Sequence, residues 1–342
     1  MARNYFITGG AGFIGSNYVH RLVQRGENVI IYDNLSRAGA PRNLAWLEQE
    51  FGKDAFKLVV GDLRDDKLLT ESARDADVIV HLAGQVAVTT SVTNPRDDFE
   101  ANALGTFNAL EAARVSQRNP IFIYSSTNKV YGGMDDVEVI EEVTRWRYKD
   151  LVQGASESQP LDFHSPYGVS KGTGDQYTRD YSRIYGLRSV VFRQSCIYGP
   201  RQFGVEDQGW LAWMMIAAVT GKQITIYGDG KQVRDVLHVN DLLNAYDAAI
   251  EKIDRAKGEV YNMGGGPRNM LAIWAEFGPI LEKLLGKKIE VARGDWRPGD
   301  QKVFYVDYSK AKRELGWEPK IDLEEGLEML FDWVKANKDL FR

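Results

Sequence analysis

Glycine recurs at every third position across Gly9-Gly10-Ala11-Gly12-Phe13-Ile14-Gly15, and the motif joins a strand-like run to a helix-like one. Tyr5–Thr8, before it, is aromatic and β-branched; after it Ile14, Tyr18 and Leu22 repeat every four residues beside Val19 and Val23, giving one apolar helix face. Glycines in such a turn let the backbone pass where a side chain would block it. The helix start then offers free N–H groups and partial positive charge to a diphosphate. A glycine turn that serves only tight packing has the same local pattern, so context has to decide. Asp33 supplies it, ending the second strand eighteen residues past Gly15, where an acid can bind both hydroxyls of an adenosine ribose. An acid there repels a 2′-phosphate, which favours NAD, although Arg37 softens that repulsion and keeps NADP open. Gly61-Asp62-Leu63 ends the third strand similarly and is placed to reach the adenine.

Beyond the loop the first half alternates two periodicities. Val29–Tyr32, Phe56–Val60, Val78–Leu82, Ile121–Ser125 and Ser189–Arg193 read as buried strands. Ala101, Leu104, Asn108 and Ala112 lie in a second helix, and Tyr167–Tyr185 forms a third. This alternation predicts an α/β fold, a doubly wound parallel sheet with helices on both faces. The rhythm breaks after Gly199-Pro200. Helices near Leu211–Thr220, Leu242–Ile253, Leu271–Leu285 and Leu323–Ala336, with a strand at Ile224–Tyr227 and a turn at Gly228–Gly230, predict a smaller, mostly helical C-terminal lobe for the substrate. The expected division is 1–193 for the nucleotide-binding domain, with 237–264 returning to it, and 194–236 plus 265–342 for the lobe.

Composition narrows the function classes. At 44% apolar and 27% charged residues the chain is a globular one. Its net charge is −5 and its basic residues are scattered, so the stripe a nucleic acid requires is missing. The longest apolar run, Trp210–Val219, falls short of the about 18–20 residues that span a bilayer, and the stretch before Gly9 is too short for a signal peptide. One cysteine, Cys196, excludes an intramolecular disulfide and a multi-thiolate metal site, so no metal is expected and a reducing cytoplasm is the simplest location.

Tyr167 and Lys171 stand at i, i+4 in Ser165-Pro166-Tyr167-Gly168-Val169-Ser170-Lys171, on one face of the third helix. The spacing is common by chance, and a surface lysine beside a half-buried tyrosine is the plain alternative. Here it follows a dinucleotide loop, and the hydroxyl cluster Ser125-Ser126-Thr127 ends the preceding strand. A phenol with pKa near 10 is a poor base at neutral pH. An ammonium about 5 Å away at an effective dielectric of about 20 favours the phenolate by roughly 3 kcal/mol. That is worth about two pKa units, enough for general-base work. Thr127 would bridge the phenol and a substrate hydroxyl, and Lys171 could also bond the nicotinamide ribose.

Together these residues resemble the extended short-chain dehydrogenase/reductase family over essentially the whole chain. The resemblance rests on Thr8–Gly15, Asp33-Asn34-Leu35, His81-Leu82-Ala83, Asn102 with Gly105-Thr106, Ser125-Ser126-Thr127, Tyr167 with Lys171, Tyr198-Gly199-Pro200 and Arg234–Val239. It implies a Rossmann domain and NAD-dependent chemistry on nucleotide-diphosphate sugars. The cofactor set it implies is Gly9, Gly12, Phe13, Ile14, Gly15, Asp33, Asn34, Ser36, Arg37, Asp62, Leu63, Leu82, Ala83, Gln85, Asn102, Ser125, Tyr167 and Lys171, with Tyr167, Lys171 and Thr127 catalytic.

Within the family, Leu82–Ser91, Tyr124–Gly132, Leu161–Gly168, Arg201-Gln202-Phe203, Asp207–Trp210 and Gly230–Asp235 look most like the CDP-paratose/CDP-tyvelose 2-epimerases. That implies inversion of C2 of a CDP-hexose through a transient 2-ketone, and a homodimer paired through helices near Asp98–Val115 and Tyr167–Ile184. Gln85, Asn128, Lys129, His164 and Cys196 are candidates for the sugar pocket; Gln208 and Trp210 for the base; Arg234 and Arg297, with Arg201 as a third, for the diphosphate. Four have a structural alternative: a surface salt bridge for Arg297, a purely structural role for His164, plain packing for Gln208 and Trp210. Two departures matter. Dehydratases of the family carry Asp-Glu after the catalytic threonine, where this chain has Asn128-Lys129, which argues against water removal. Many 4-epimerases carry an asparagine where Cys196 stands, which weakens that rival. A non-catalytic nucleotide sensor on the same fold is the rival from another class.

Overall fold

The computed structural model describes residues 2–297 and 300–341, so Pro298 and Gly299 lie outside it. The chain begins as a strand–helix alternation: β1 (Asn4–Thr8), α1 (Phe13–Gln24), β2 (Asn28–Asp33), α2 (Ala40–Phe51), β3 (Lys57–Val60), α3 (Asp66–Ala73) and β4 (Val78–His81). Short helices α4 (Val88–Thr93) and α5 (Pro95–Asp98) lead through a π-helical turn, Phe99–Leu104, into α6 (Gly105–Val115). Then come β5 (Ile121–Thr127), a small hairpin β6 (Val139–Glu141) and β7 (Trp146–Tyr148), the long α7 (Ser165–Tyr185) and β8 (Arg188–Gln194).

Seven parallel strands form the main sheet, in the order β12-β8-β5-β4-β1-β2-β3, where β12 is Val260–Met263. Crossover helices cover both faces, so the central strands are apolar throughout rather than alternating, and all of β4 is buried. On one face α1 buries Tyr18, Val19 and Leu22 against Leu242, Leu243 and Tyr246 of α9 (Val239–Glu251). Burying each aliphatic side chain there is worth about 1.5–3 kcal/mol. Past α10 (Ile253–Ala256), β12 adds a seventh strand, taken from a stretch the sequence left without a strand.

The second lobe is built from β9 (Cys196–Tyr198), α8 (Trp210–Thr220), β10 (Ile224–Tyr227), β11 (Val233–His238), β13 (Met270–Ala272), α11 (Phe277–Leu285), β14 (Val291–Gly294) and β15 (Val303–Phe304), with α13 (Leu323–Ala336) packed on it. Two small sheets accompany the helices: β10 beside β14, and β13-β11-β15 with β9. The helix expected over Leu271–Leu285 starts only at Phe277. Met270–Ala272 instead pairs antiparallel with β11, whose N–H and C=O groups claim that backbone before a helix can. α12 (Ser309–Leu315) comes from a stretch the sequence assigned to the lobe, but its Ala311 and Leu315, and Trp317 after it, are buried in the main core.

Candidate active site

The glycine turn is shaped by collisions it avoids. Gly9 has φ +70°, and a Cβ there would sit 2.8 Å from the Ala83 nitrogen; a Cβ on Gly15 would sit 2.2 Å from the Gly9 carbonyl oxygen. Leu82 and Ala83 are locked beside the turn because Thr8 Oγ1 accepts both their N–H groups at 3.2 Å. α1 starts at Phe13 with Ile14 beside it, and Gly12 ahead of it offers no side-chain cap and no acid stands in the first turn, so the helix start keeps N–H groups for an anion. Asp33 accepts from Ala11 N–H at 3.0 Å and Leu35 N–H at 2.8 Å, one on each oxygen. A carboxylate has lone pairs beyond those two, so ribose hydroxyls can still be accepted. Burial raises the pKa of Asp33, against the two backbone bonds. Asn34 donates to Asp62 at 3.0 Å and accepts from Ser36 N–H. Buried Leu63 follows, its carbonyl accepting from Asn108. This donor set fits NAD: an uncapped helix start, a cradle that a Cβ would fill, and a ribose-side carboxylate.

Tyr167 and Lys171 lie on α7, which opens with Ser165 at φ +66° and Pro166 in the first turn. Lys171 Nζ donates to the Ser125 carbonyl and lies 4.5 Å from the Tyr124 ring centroid. Burial pushes its pKa down to about 8, against the pull of Asp175 and Asp98. The phenol behaves otherwise than expected. Burial pushes Tyr167 up to about 12, helped by the negative charge of Asp98, and the bond with Thr127 only partly offsets this. The two-unit depression expected from the ammonium is not present in the chain itself, because Lys171 is directed at the Ser125 carbonyl and both groups are desolvated.

A second cluster gathers around Arg234. Arg234 is buried, bonding the Val233 carbonyl at 2.7 Å and Asp300 at 2.6 Å. Lys129 Nζ donates to Gln301 Oε1 at 3.3 Å, and burial together with Arg234 lowers its pKa to about 8 while Asp300 and Cys196 oppose. The Cys196 thiol is raised by burial, against Arg234 and the neighbouring Trp210 indole. Asn128 is buried next to Thr127, whose hydroxyl donates to it at 3.3 Å. Arg297 stacks 4.0 Å over Tyr227 and pairs with Asp207 at 3.3 Å.

The remaining candidates have partners of their own. His164 is exposed and pairs with Asp162 at 2.9 Å. Arg201 lies 3.9 Å over Trp46, with Trp333 on a further side, so its guanidinium joins α2 to α13. The Gln85 amide closes on its own Ala87 through two 2.6 Å bonds. Arg37 donates to Gln208 at 2.7 Å, so these two bond each other across the lobes. Three buried groups escaped the sequence reading. Asp98 accepts from Ser170 at 2.6 Å and Asn102 at 3.1 Å beside the tyrosine. Asp175 and Arg193 form an ion pair beneath Lys171. For Asp175 a signal existed, since it stands one helical turn past Lys171, on the same face.

The family model for GDP-mannose 4,6 dehydratase matches residues 6–330. The chain is 43% identical to the CDP-paratose 2-epimerase of Salmonella typhi, over 96% of this chain and 98% of that one. Its fold superposes on the UDP-glucose 4-epimerase of Thermotoga maritima with a TM-score of 0.82 at 30% identity, covering 97% of this chain and 99% of that one. It superposes on the dTDP-glucose 4,6-dehydratase of Streptomyces venezuelae, solved with NAD bound, with a TM-score of 0.83 at 30% identity, covering 98% of each. No helix among the described residues is long and apolar enough to cross a membrane. With a glycine turn after β1, Asp33 ending β2 and Tyr167 with Lys171 on α7 beside a seven-stranded parallel sheet, the chain belongs to the GDP-mannose 4,6-dehydratase-like branch of the extended short-chain dehydrogenase/reductases.

Proposed function

We propose that this chain is an NAD-dependent nucleotide-sugar epimerase that inverts C2 of a CDP-hexose through a 2-keto intermediate, in a reducing cytoplasm. The observation that carries the reading is the turn Thr127-Asn128-Lys129 beside Tyr167. It holds an amide and an amine where water removal would need an acid and a base working together. The choice of C2 and of a cytidine nucleotide is supported by the 43% identity to a CDP-paratose 2-epimerase.

C2 of such a sugar has no neighbouring carbonyl, so plain deprotonation there faces a high barrier. Oxidation avoids it: the O2 proton passes to Tyr167 and the C2 hydrogen leaves as hydride. Bound NAD supplies the hydride acceptor and a positive charge that opposes the burial penalty on the Tyr167 phenolate. Gly9, Gly12, Gly15 and Asp33 hold it. Lys171, kept cationic by Asp98 and Asp175, stabilises the phenolate, and Thr127 orients the substrate hydroxyl. Arg234 and Arg297 clamp the diphosphate, which replaces Asp300 and Asp207 as their partners. We extend the proposal to a homodimer through α6 and α7, whose Phe107, Val169, Tyr177 and Ile184 are exposed.

The test incubates the purified protein with CDP-glucose and CDP-paratose bearing deuterium at C2, followed by sugar analysis. Retention of the label in a C2 epimer is expected, with no deuterium entering from heavy water. Inversion at C4 with C2 untouched would make the chain a 4-epimerase. Solvent deuterium at C2 would rule out the hydride route.

A further inference from the structure

The proton that completes the inverted sugar cannot easily come from Tyr167. Inversion requires the flat ketone to present its other face before the hydride returns. A 4-ketone can turn about the line through C1 and C4. O4 lies on that line, so one tyrosine serves both faces. A 2-ketone has no such freedom. Turning about the C2–O2 direction exchanges the places of C1 and C3. With bonds of ~1.5 Å meeting near ~111°, that carries the phosphate-bearing carbon ~2.5 Å. The alternative turns the ring about the line through C1 and C2, which keeps both the phosphate-bearing carbon and the hydride-accepting carbon in place and swings O2 away.

The anchor favours the second course. Arg234 is buried and fixed by the Val233 carbonyl and Asp300, on a strand paired with β13, β15 and β9, so the clamp is not free to travel with C1. O2 therefore leaves Tyr167 while C1 stays with the arginine. Beside that arginine Lys129 binds a neutral amide, Gln301 Oε1, at 3.3 Å, and no carboxylate pairs with its Nζ among the described residues. Tyr167 has Thr127 and Asp98 as neighbours and Lys129 has Arg234, Asp300 and Cys196, so the two proton-bearing groups sit among different residues.

We propose that Lys129 is a second acid–base catalyst, giving its proton to O2 of the turned sugar as the hydride returns to C2. In that step an N–H bond of Lys129 breaks, the O2–H bond forms, and the ketone is reduced to the alcohol. Tyr167 ends protonated and Lys129 neutral, and both reset by exchange with water. In the reverse direction Lys129 takes the proton. A pKa lowered to about 8 leaves the ammonium populated at neutral pH yet able to give up its proton. The charged and titratable groups facing it are Arg234 from β11, Cys196 from β9 and Asp300 from the segment before β15.

This inference rests on the C2 reading, and the experiment separates the two. Wild type, Lys129→Met and Lys129→Arg, loaded with NAD, are mixed with CDP-glucose and, separately, with its C2 epimer CDP-mannose while reduced nicotinamide is followed by absorbance and epimer by sugar analysis. In Lys129→Met, one of the two epimers should still reduce the cofactor, which also shows that the variant is folded. Epimer formation should fall about 100-fold or more, the size typical of a lost acid–base group. Lys129→Arg keeps the charge without a proton it can readily release, and should fail similarly. Epimer formation within tenfold of wild type in either variant would overturn the role, as would loss of cofactor reduction with both epimers in Lys129→Met. A wild type that inverts C4 would overturn the C2 reading and this inference with it; a wild type inverting C2 alongside an equally active Lys129→Met would overturn the Lys129 role alone.

Discussion

Asp175→Asn is the most informative perturbation of the scaffold beneath the site. Arg193 and Asp175 are 2% and 0% exposed and meet through two bonds, Nε to Oδ2 at 2.8 Å and Nη2 to Oδ1 at 3.0 Å. Ser126, one residue before Thr127, donates to the same carboxylate at 2.9 Å, and Tyr131 accepts from Arg193 at 3.1 Å. Asparagine keeps the shape and one acceptor but leaves the guanidinium charge without a counter-charge. Charges about 4 Å apart attract by roughly 4 kcal/mol at an effective dielectric of about 20. Breaking a buried pair typically costs about 3–5 kcal/mol. At about 2 °C per kcal/mol in a chain of this size, the thermal midpoint should fall by about 6–10 °C. Replacing both partners, Asp175→Leu with Arg193→Met, should recover most of that loss, because no charge is then left buried. Asp175 also holds the Lys171 pKa up. In the single variant Lys171 should therefore lose its proton at lower pH, moving the alkaline limb of the rate profile acidward. A midpoint shift below 2 °C, or a double variant as unstable as the single one, would refute the Coulombic account.

Further outcomes follow from the same geometry. Tyr167→Phe should lower turnover by at least about 100-fold with substrate binding by calorimetry unchanged, and a loss under tenfold would remove it from the base role. Gly15→Ala places a Cβ against the Gly9 carbonyl and should abolish retention of NAD through purification; a variant that still copurifies with it would show that the turn can yield. His81 is buried between Thr8 and Thr106, and burial lowers its pKa to about 3. The folded state thus refuses a proton the unfolded chain accepts near pH 6.5. Its contribution is full above that pH and is lost on acidification towards pH 3, at roughly 1.4 kcal/mol per pH unit. Denaturant titrations at several pH values should show His81→Gln losing less stability than wild type over that window, and equal slopes would contradict the assignment.

The sequence by itself determined what is local. Gly9 to Gly15, Asp33 at a strand end and Tyr167 with Lys171 at i, i+4 were legible because short-range backbone geometry sets their spacing, whatever the rest of the chain does. The alternation of apolar strands and amphipathic helices likewise carried the doubly wound sheet, since buried parallel strands leave a continuous apolar signature. The start of the expected Leu271 helix was not legible, because β11 competes for that backbone from 35 to 39 residues away in sequence. Only the tertiary structure decided which polar side chains meet. Arg234 with Asp300, Arg297 with Asp207 and Arg37 with Gln208 pair over 66 to 171 residues. It also decided that His164 stands in solvent and that burial, rather than the nearby ammonium, governs the Tyr167 phenol. Desolvation and long-range pairing depend on what the folded chain brings alongside a residue, and no spacing along the sequence encodes that.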